Sequence, residues 1–191
     1  MELLLIRHAL PMRIDEGPGS GPADPALSAR GVEQAAVLAE WLASEAVDAL
    51  WSSPMRRALE TAASVAERLG LPVIVDEGLS EFDRDALSYI PIEELKAAGD
   101  PRWNEVPERP EDFVAGVVDA VERVVAAHPS QRVAVVCHGG VINAYAGHVA
   151  GVGTPIWFLP AYTSISRVMA SASGPRTIGS INETAHVRHL I

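Results

Sequence analysis

At 191 residues and 48% hydrophobic, the chain can bury the core of one domain spanning 1–191, and it holds no uninterrupted apolar run long enough for a membrane helix. Its formal net charge of −10, with a pI near 5.0, excludes the broad basic surface that nucleic acid or an anionic membrane would require. Positive charge is almost all arginine, Lys96 being the only lysine, so an anionic ligand has to be met by a local guanidinium pocket.

A single cysteine, Cys137, leaves no intramolecular disulfide and no cysteine-built zinc cage. The N-terminal apolar run follows Glu2 and is too short for a signal peptide, so a cytoplasmic location is expected. That run, Leu3 to Ile6, predicts a strand buried on both faces, and Arg7 and His8 follow where it would emerge. The connection from Leu10 to Ala26 is long and rich in Gly and Pro. It reads either as a substrate-covering loop or as a disordered insertion, and Arg13 within it reads as a solvated arginine ahead of an anion ligand. Ser28 is the predicted N-cap of a helix with Ala35, Leu38, Ala39 and Leu42 on one face.

Val47 to Trp51 reads as a strand, and the spacing of Met55, Ala58, Leu59, Ala62, Val65 and Leu69 predicts an amphipathic helix closed by Gly70. Arg56 and Arg57 in its first turn oppose the helix dipole, a conflict that a bound anion would resolve. Leu71 to Val75 is a further strand, and the acidic cluster Asp76 to Asp83 reads as a solvated loop. Residues 84–110 are irregular, with one short helix near Ile92 to Ala98. A helix follows over Phe113 to Ala127, then a strand over Val133 to Cys137 ending in His138-Gly139-Gly140, then a helix from near Gly139. Trp157 to Leu159, Ile165 to Ala170 and Thr177 to Ile181 read as strands. This alternation predicts an α/β fold, a three-layer α/β/α arrangement with a mostly parallel sheet covered on both faces. Ligands of such sheets bind at the carboxyl ends of strands, where two buried strands here each deliver a histidine. His128, His148, His186 and His189 lack such a context and read as structural or surface groups. Ser53 and Thr163 read as turn or strand residues close to the pocket.

Five blocks, in order over residues 1 to about 145, resemble the histidine phosphatase superfamily, the phosphoglycerate-mutase-like fold. Leu5-Ile6-Arg7-His8-Ala9 is similar to its strand ending in Arg-His-Gly, and Leu27 to Ala35 to its L-T-x-x-G-x-x-Q-A helix start. Ser52 to Ala62 resembles S-S-P-x-x-R-A-x-x-T-A, Leu79-Ser80-Glu81 the Leu-x-Glu that carries a general acid, and Val136 to Ile142 the late V-x-H-G-G-x-I block. Three departures stand out. Ala9 replaces glycine, Glu81 is followed by Phe-Asp-Arg-Asp, and the Ser-x-Trp-Asn of phosphoglycerate mutases is missing after His8.

The resemblance implies a phosphomonoester hydrolase of the phosphatase branch, acting on a small phosphorylated metabolite without metal or other cofactor. It implies His8 as the nucleophile that becomes phosphohistidine, and Arg7, Arg57 and Gly139 as the phosphate site. His138 would be a further donor to the phosphoryl oxygens and Glu81 the general acid. Elementary chemistry agrees: neutral imidazole attacks phosphorus, and a covalent intermediate divides hydrolysis into two easier displacements. A homodimer is suggested by the family alone. The alternatives are a phosphomutase and a catalytically silent phospholigand-binding domain. A metallohydrolase on His8 and His138 is disfavoured by the adjacent arginine and the lack of a carboxylate at ligand spacing.

Overall fold

The computed structural model describes residues 1–15, 21–104, 106–171 and 174–191, the side chain of residue 104 excepted. The glycine- and proline-rich run at 16–20 lies outside the described residues. The strands are β1 (Glu2–Arg7), β2 (Ala49–Ser52), β3 (Val73–Val75), β4 (Arg132–Cys137), β5 (Ile165–Ala170) and β6 (Arg176–Glu183). The helices are α1 (Ala29–Leu42), α2 (Arg56–Leu69), α3 (Ile92–Ala97), α4 (Pro110–Ala127) and α5 (Gly139–Ala150). One sheet has the order β3-β2-β4-β1-β5-β6. The pairs β3–β2, β2–β4 and β4–β1 are parallel, and β5 runs antiparallel to both β1 and β6.

The period-2 alternation of the central strands builds the layers. Leu3 and Leu5 of β1, with Val133, Val135 and Cys137 of β4, face Val117, Val121 and Val124 of α4 and Val141, Ile142 and Tyr145 of α5. Leu4 and Ile6, with Ala134 and Val136, face Leu38 and Leu42 of α1 and Ala58, Ala62 and Val65 of α2. Both clusters are closed to solvent, each large aliphatic side chain contributing about 1.5–3 kcal/mol. Cys137 is among them, a small core hydrophobe.

Adjacent β1 and β4 therefore lead into helices on opposite faces of the sheet, α1 and α5. That divergence opens a crevice at their carboxyl ends. Among the described residues no helix is long and apolar enough to cross a membrane.

Local chemistry explains most element boundaries. Ser28 Oγ accepts the Gly31 N–H at 3.0 Å, capping α1 as predicted, and Gly70 closes α2 with φ 68°. Gly31 has no room for a side chain, since a Cβ there would lie 2.0 Å from the Leu10 carbonyl oxygen. α4 begins three residues earlier than the periodicity indicates, because Pro110 suits the first helical position and Glu111 and Asp112 suit the dipole.

The predicted strand at Trp157 to Leu159 is not formed. There the backbone N–H groups of Trp157 and Phe158 donate to Asn143 Oδ1 at 2.9 and 3.1 Å, and Asn143 Nδ2 donates to the Phe158 carbonyl. A side-chain amide thus takes the place of a neighbouring strand. The acidic stretch 76–83 is not a solvated loop either. Asp76 caps a short 3-10 turn and pairs with Arg123, and Leu79 and Glu81 are buried.

Candidate active site

In the parallel β1–β4 register, Arg7 lies opposite Cys137, so the next residues on each strand, His8 and His138, meet. Their ring centroids are 5.1 Å apart at an interplanar angle of 58°. The His8 backbone N–H donates to the Cys137 carbonyl, tying the two strand ends together. His8 Nδ1 lies 2.8 Å from the Ala9 carbonyl oxygen. A carbonyl can only accept, so that nitrogen carries the proton and Nε2 keeps its lone pair.

His138 Nε2 lies 2.8 Å from Ser53 Oγ. Ser53 Oγ also accepts the Met55 N–H; with its own hydrogen turned to Nε2, the second imidazole carries its proton on Nδ1. Burial, followed by the nearby charges, holds both imidazoles neutral: Arg57 and Arg7 for His8; Arg57, His8 and Arg7 for His138. Ser53 thus contacts the site as well as forming the turn before α2.

Arg7 and Arg57 converge on the same space, and both are buried. Arg7 Nη1 donates to the Pro160 carbonyl at 2.6 Å and to Glu93 Oε1 at 3.1 Å, with its guanidinium 3.8 Å from the Tyr162 ring centre. Arg57 Nη2 donates to Asp83 Oδ1 at 2.8 Å, over the Tyr89 ring. Each arginine is therefore aimed by one carboxylate and one aromatic face. Arg7 Nε, Arg57 Nε and Nη1, and His138 Nδ1 are buried and have no protein partner. An unsatisfied buried donor costs about 1–3 kcal/mol. The three arginine nitrogens, with His138 Nδ1 on the ring packed against His8, suit an anion with several acceptor oxygens.

Glu81 is buried beside them. Its Oε2 accepts the Gly140 N–H at 2.7 Å and its Oε1 the Phe82 N–H at 3.1 Å. The approach depends on glycine: a Cβ at residue 140 would lie 2.2 Å from Glu81 Oε1. Burial first, then the Asp83 charge, pushes the Glu81 carboxyl up to about 7 against the pull of those N–H groups and Arg57. A cavity of about 250 Å³ opens onto Arg7, His8, Arg57, Glu81, Gly139 and Gly140. His138 lies behind His8, outside its lining. Among the described residues no group of three His, Cys, Asp or Glu is arranged to hold a metal ion.

The other residues singled out in the sequence take varied places. The anion at the start of α2 is a protein carboxylate, Asp24, which accepts the Arg56 N–H at 2.9 Å, while the Arg56 side chain turns outward to Glu60. Arg13 is exposed and held by Asp15 and Glu94, away from the cavity. Ala9 lies outside the cavity lining, packed on Leu27 and Ala35, and its N–H donates to Thr61 Oγ1. Thr163 sits at φ 57°, a strained conformation for a β-branched residue. Its N–H donates to the Arg7 carbonyl at 3.0 Å, locking the end of β1. His186 lies near the Trp41 ring and His128 against Trp51, both structural. Asp83, Tyr89, Glu93 and Tyr162 escaped the sequence reading, because nothing in their spacing relates them to Arg7 or Arg57.

Two neutral imidazoles, two arginines with spare donors and a carboxyl group near neutrality, at the carboxyl edge of a three-layer sheet, are the equipment of an enzyme that acts on phosphorylated substrates. Residues 3–183 match the model of the histidine phosphatase superfamily (branch 1), and the chain belongs to that family. It is 32% identical to phosphoserine phosphatase 1 of Hydrogenobacter thermophilus, over 98% of this chain and 94% of that protein. It is 30% identical to the glucosyl-3-phosphoglycerate phosphatase of Mycolicibacterium vanbaalenii, over 81% and 76%. Among solved structures, a mycobacterial glucosyl-3-phosphoglycerate phosphatase in complex with inorganic phosphate superposes with TM-score 0.74 at 25% identity, covering 97% of this chain and 99% of that one. The protein is a phosphoric monoester hydrolase of this superfamily.

Proposed function

We propose that the chain hydrolyses a small phosphorylated metabolite through a covalent phosphohistidine on His8. The observation that carries this reading is the lone pair on His8 Nε2 in a cavity shared with Arg7 and Arg57, which keep unpartnered nitrogens, as does the adjoining His138. Nε2 attacks phosphorus while the bond to the leaving oxygen breaks, and the Glu81 carboxyl gives that oxygen its proton. Arg7, Arg57 and the His138 Nδ1–H hold the three equatorial oxygens, the charge stabilisation on which phosphoryl transfer depends. The start of α5 at Gly139 adds a favourable dipole. In the second half, carboxylate Glu81 takes a proton from water, the water oxygen attacks phosphorus, and the N–P bond returns its electrons to Nε2. The Ala9 carbonyl keeps the Nδ1 proton throughout.

The test is a rapid quench into alkali with a phosphate-labelled substrate. Acid-labile, alkali-stable label on the wild type and none on His8→Ala is the expected result. Undiminished turnover by His8→Ala overturns the reading. Transfer of the label to phosphoglycerate instead of water would mark a mutase.

A further inference from the structure

We infer that the substrate carries its phosphoryl group as its only anion, on an alcohol with an apolar body; this rests on the phosphatase reading above. Beyond the arginines and His8, the cavity is lined by Ile90, Ile92, Leu95, Trp103, Phe158 and Leu159. Among the polar side chains of the lining, Asn143 and the arginines are already committed. Asn143 spends Nδ2 on the Gly139 and Phe158 carbonyls and Oδ1 on the Trp157 and Phe158 N–H groups. Arg102 donates from Nε and Nη2 to Asp100.

Each of the three arginines in the lining thus already holds a carboxylate: Arg7 holds Glu93, Arg57 holds Asp83, and Arg102 holds Asp100. A phosphoryl dianion can still be met by the unpartnered nitrogens of Arg7 and Arg57. A second carboxylate on the same substrate would find apolar walls and the charge of Asp83, with Arg7 already paired to Glu93. Like-charge contact and unpaired polar groups are how a site rejects a competitor. The relatives named above are called after phosphoserine and glucosyl-3-phosphoglycerate, both of which carry a carboxylate. On this point the present pocket diverges from those names.

The experiment compares kcat/KM for three primary alkyl phosphates, so that the chemistry at the leaving oxygen is alike: 2-phenylethyl phosphate, O-phosphoserine and 3-phosphoglycerate. The wild type should prefer 2-phenylethyl phosphate by roughly tenfold or more over each of the other two, as removal or insertion of one pocket group can give. Trp103 is half-exposed at the rim, and Trp103→Ala should narrow the preference roughly fivefold by weakening apolar contact. Glu93→Gln should raise 3-phosphoglycerate relative to 2-phenylethyl phosphate. Equal or better use of phosphoserine or 3-phosphoglycerate by the wild type, or a ratio unmoved in both variants, overturns the inference and leaves the phosphatase reading standing. Absence of turnover on all three overturns both.

Discussion

The two ends of β1 carry the same kinds of charged side chain and use them in opposite ways. At the amino end, Arg167 donates to Glu2, Glu45 and Glu183 at 2.9–3.1 Å, and Arg132 donates to Glu2 at 2.6 Å. Every guanidinium nitrogen of Arg167 has a partner, and its hydrogen bonds hold the Glu45 carboxyl below the usual range. At the carboxyl end, Arg7 and Arg57 are more deeply buried, yet keep nitrogens without partners, and Glu81 is pushed the other way, up to about 7. A network closed on itself holds strands together. One left open, with a carboxyl group poised near neutrality, is prepared for a ligand and a proton.

Substitutions can break that contrast. The largest effect is expected for His8→Ala, a loss in kcat of roughly 10⁴-fold or more, read by steady-state assay with the melting temperature as a folding control. Arg57→Ala should lower kcat/KM roughly 10²–10³-fold, because no other described group can supply its two free nitrogens. Glu81→Gln should cost roughly 10²–10³-fold on alkyl phosphates and far less on p-nitrophenyl phosphate, whose leaving group needs no proton.

The sign of the pH dependence follows from the same residue. Leaving-group protonation needs the acid form of Glu81, so kcat/KM for an alkyl phosphate should fall as pH rises through about 7. Asp83→Asn removes the charge that raises Glu81 and should move that limb to lower pH, seen in a pH–rate profile.

Arg167→Met, at the opposite end, should leave kcat unchanged and cost about 1–3 kcal/mol of stability in denaturant titration. Glu45 is depressed in the folded state. Its contribution is therefore present above its unfolded value near 4.5 and disappears as pH falls through the lower folded value. The stability gap between wild type and Arg167→Met should narrow in acid accordingly.

Legibility followed the range of the forces involved. Strand β5 is legible residue for residue from Ile165 to Ala170, and β1 and β4 are legible to within a residue at each end because their buried cores are continuous apolar runs. The cap at Ser28 and the stop at Gly70 were readable because both are local backbone chemistry. Trp157 to Leu159 was misread since its apolar character serves packing, while its backbone is satisfied by an amide fourteen residues away. Of two adjacent arginines in one helix turn, only Arg57 faces inward, a matter of how α2 sits on the sheet.

The sequence alone determined that a layered sheet would form and that Arg7, His8 and His138 would stand at its strand ends, since apolar periodicity and the residues ending each run are local properties. Tertiary structure decided the rest: which arginine turns inward, which carboxylates from 83–93 aim the two guanidiniums, and that Glu81 lies buried against Gly140. Those outcomes depend on burial and on charges brought together across as many as 86 positions in the chain, and no spacing in the sequence encodes a dielectric environment.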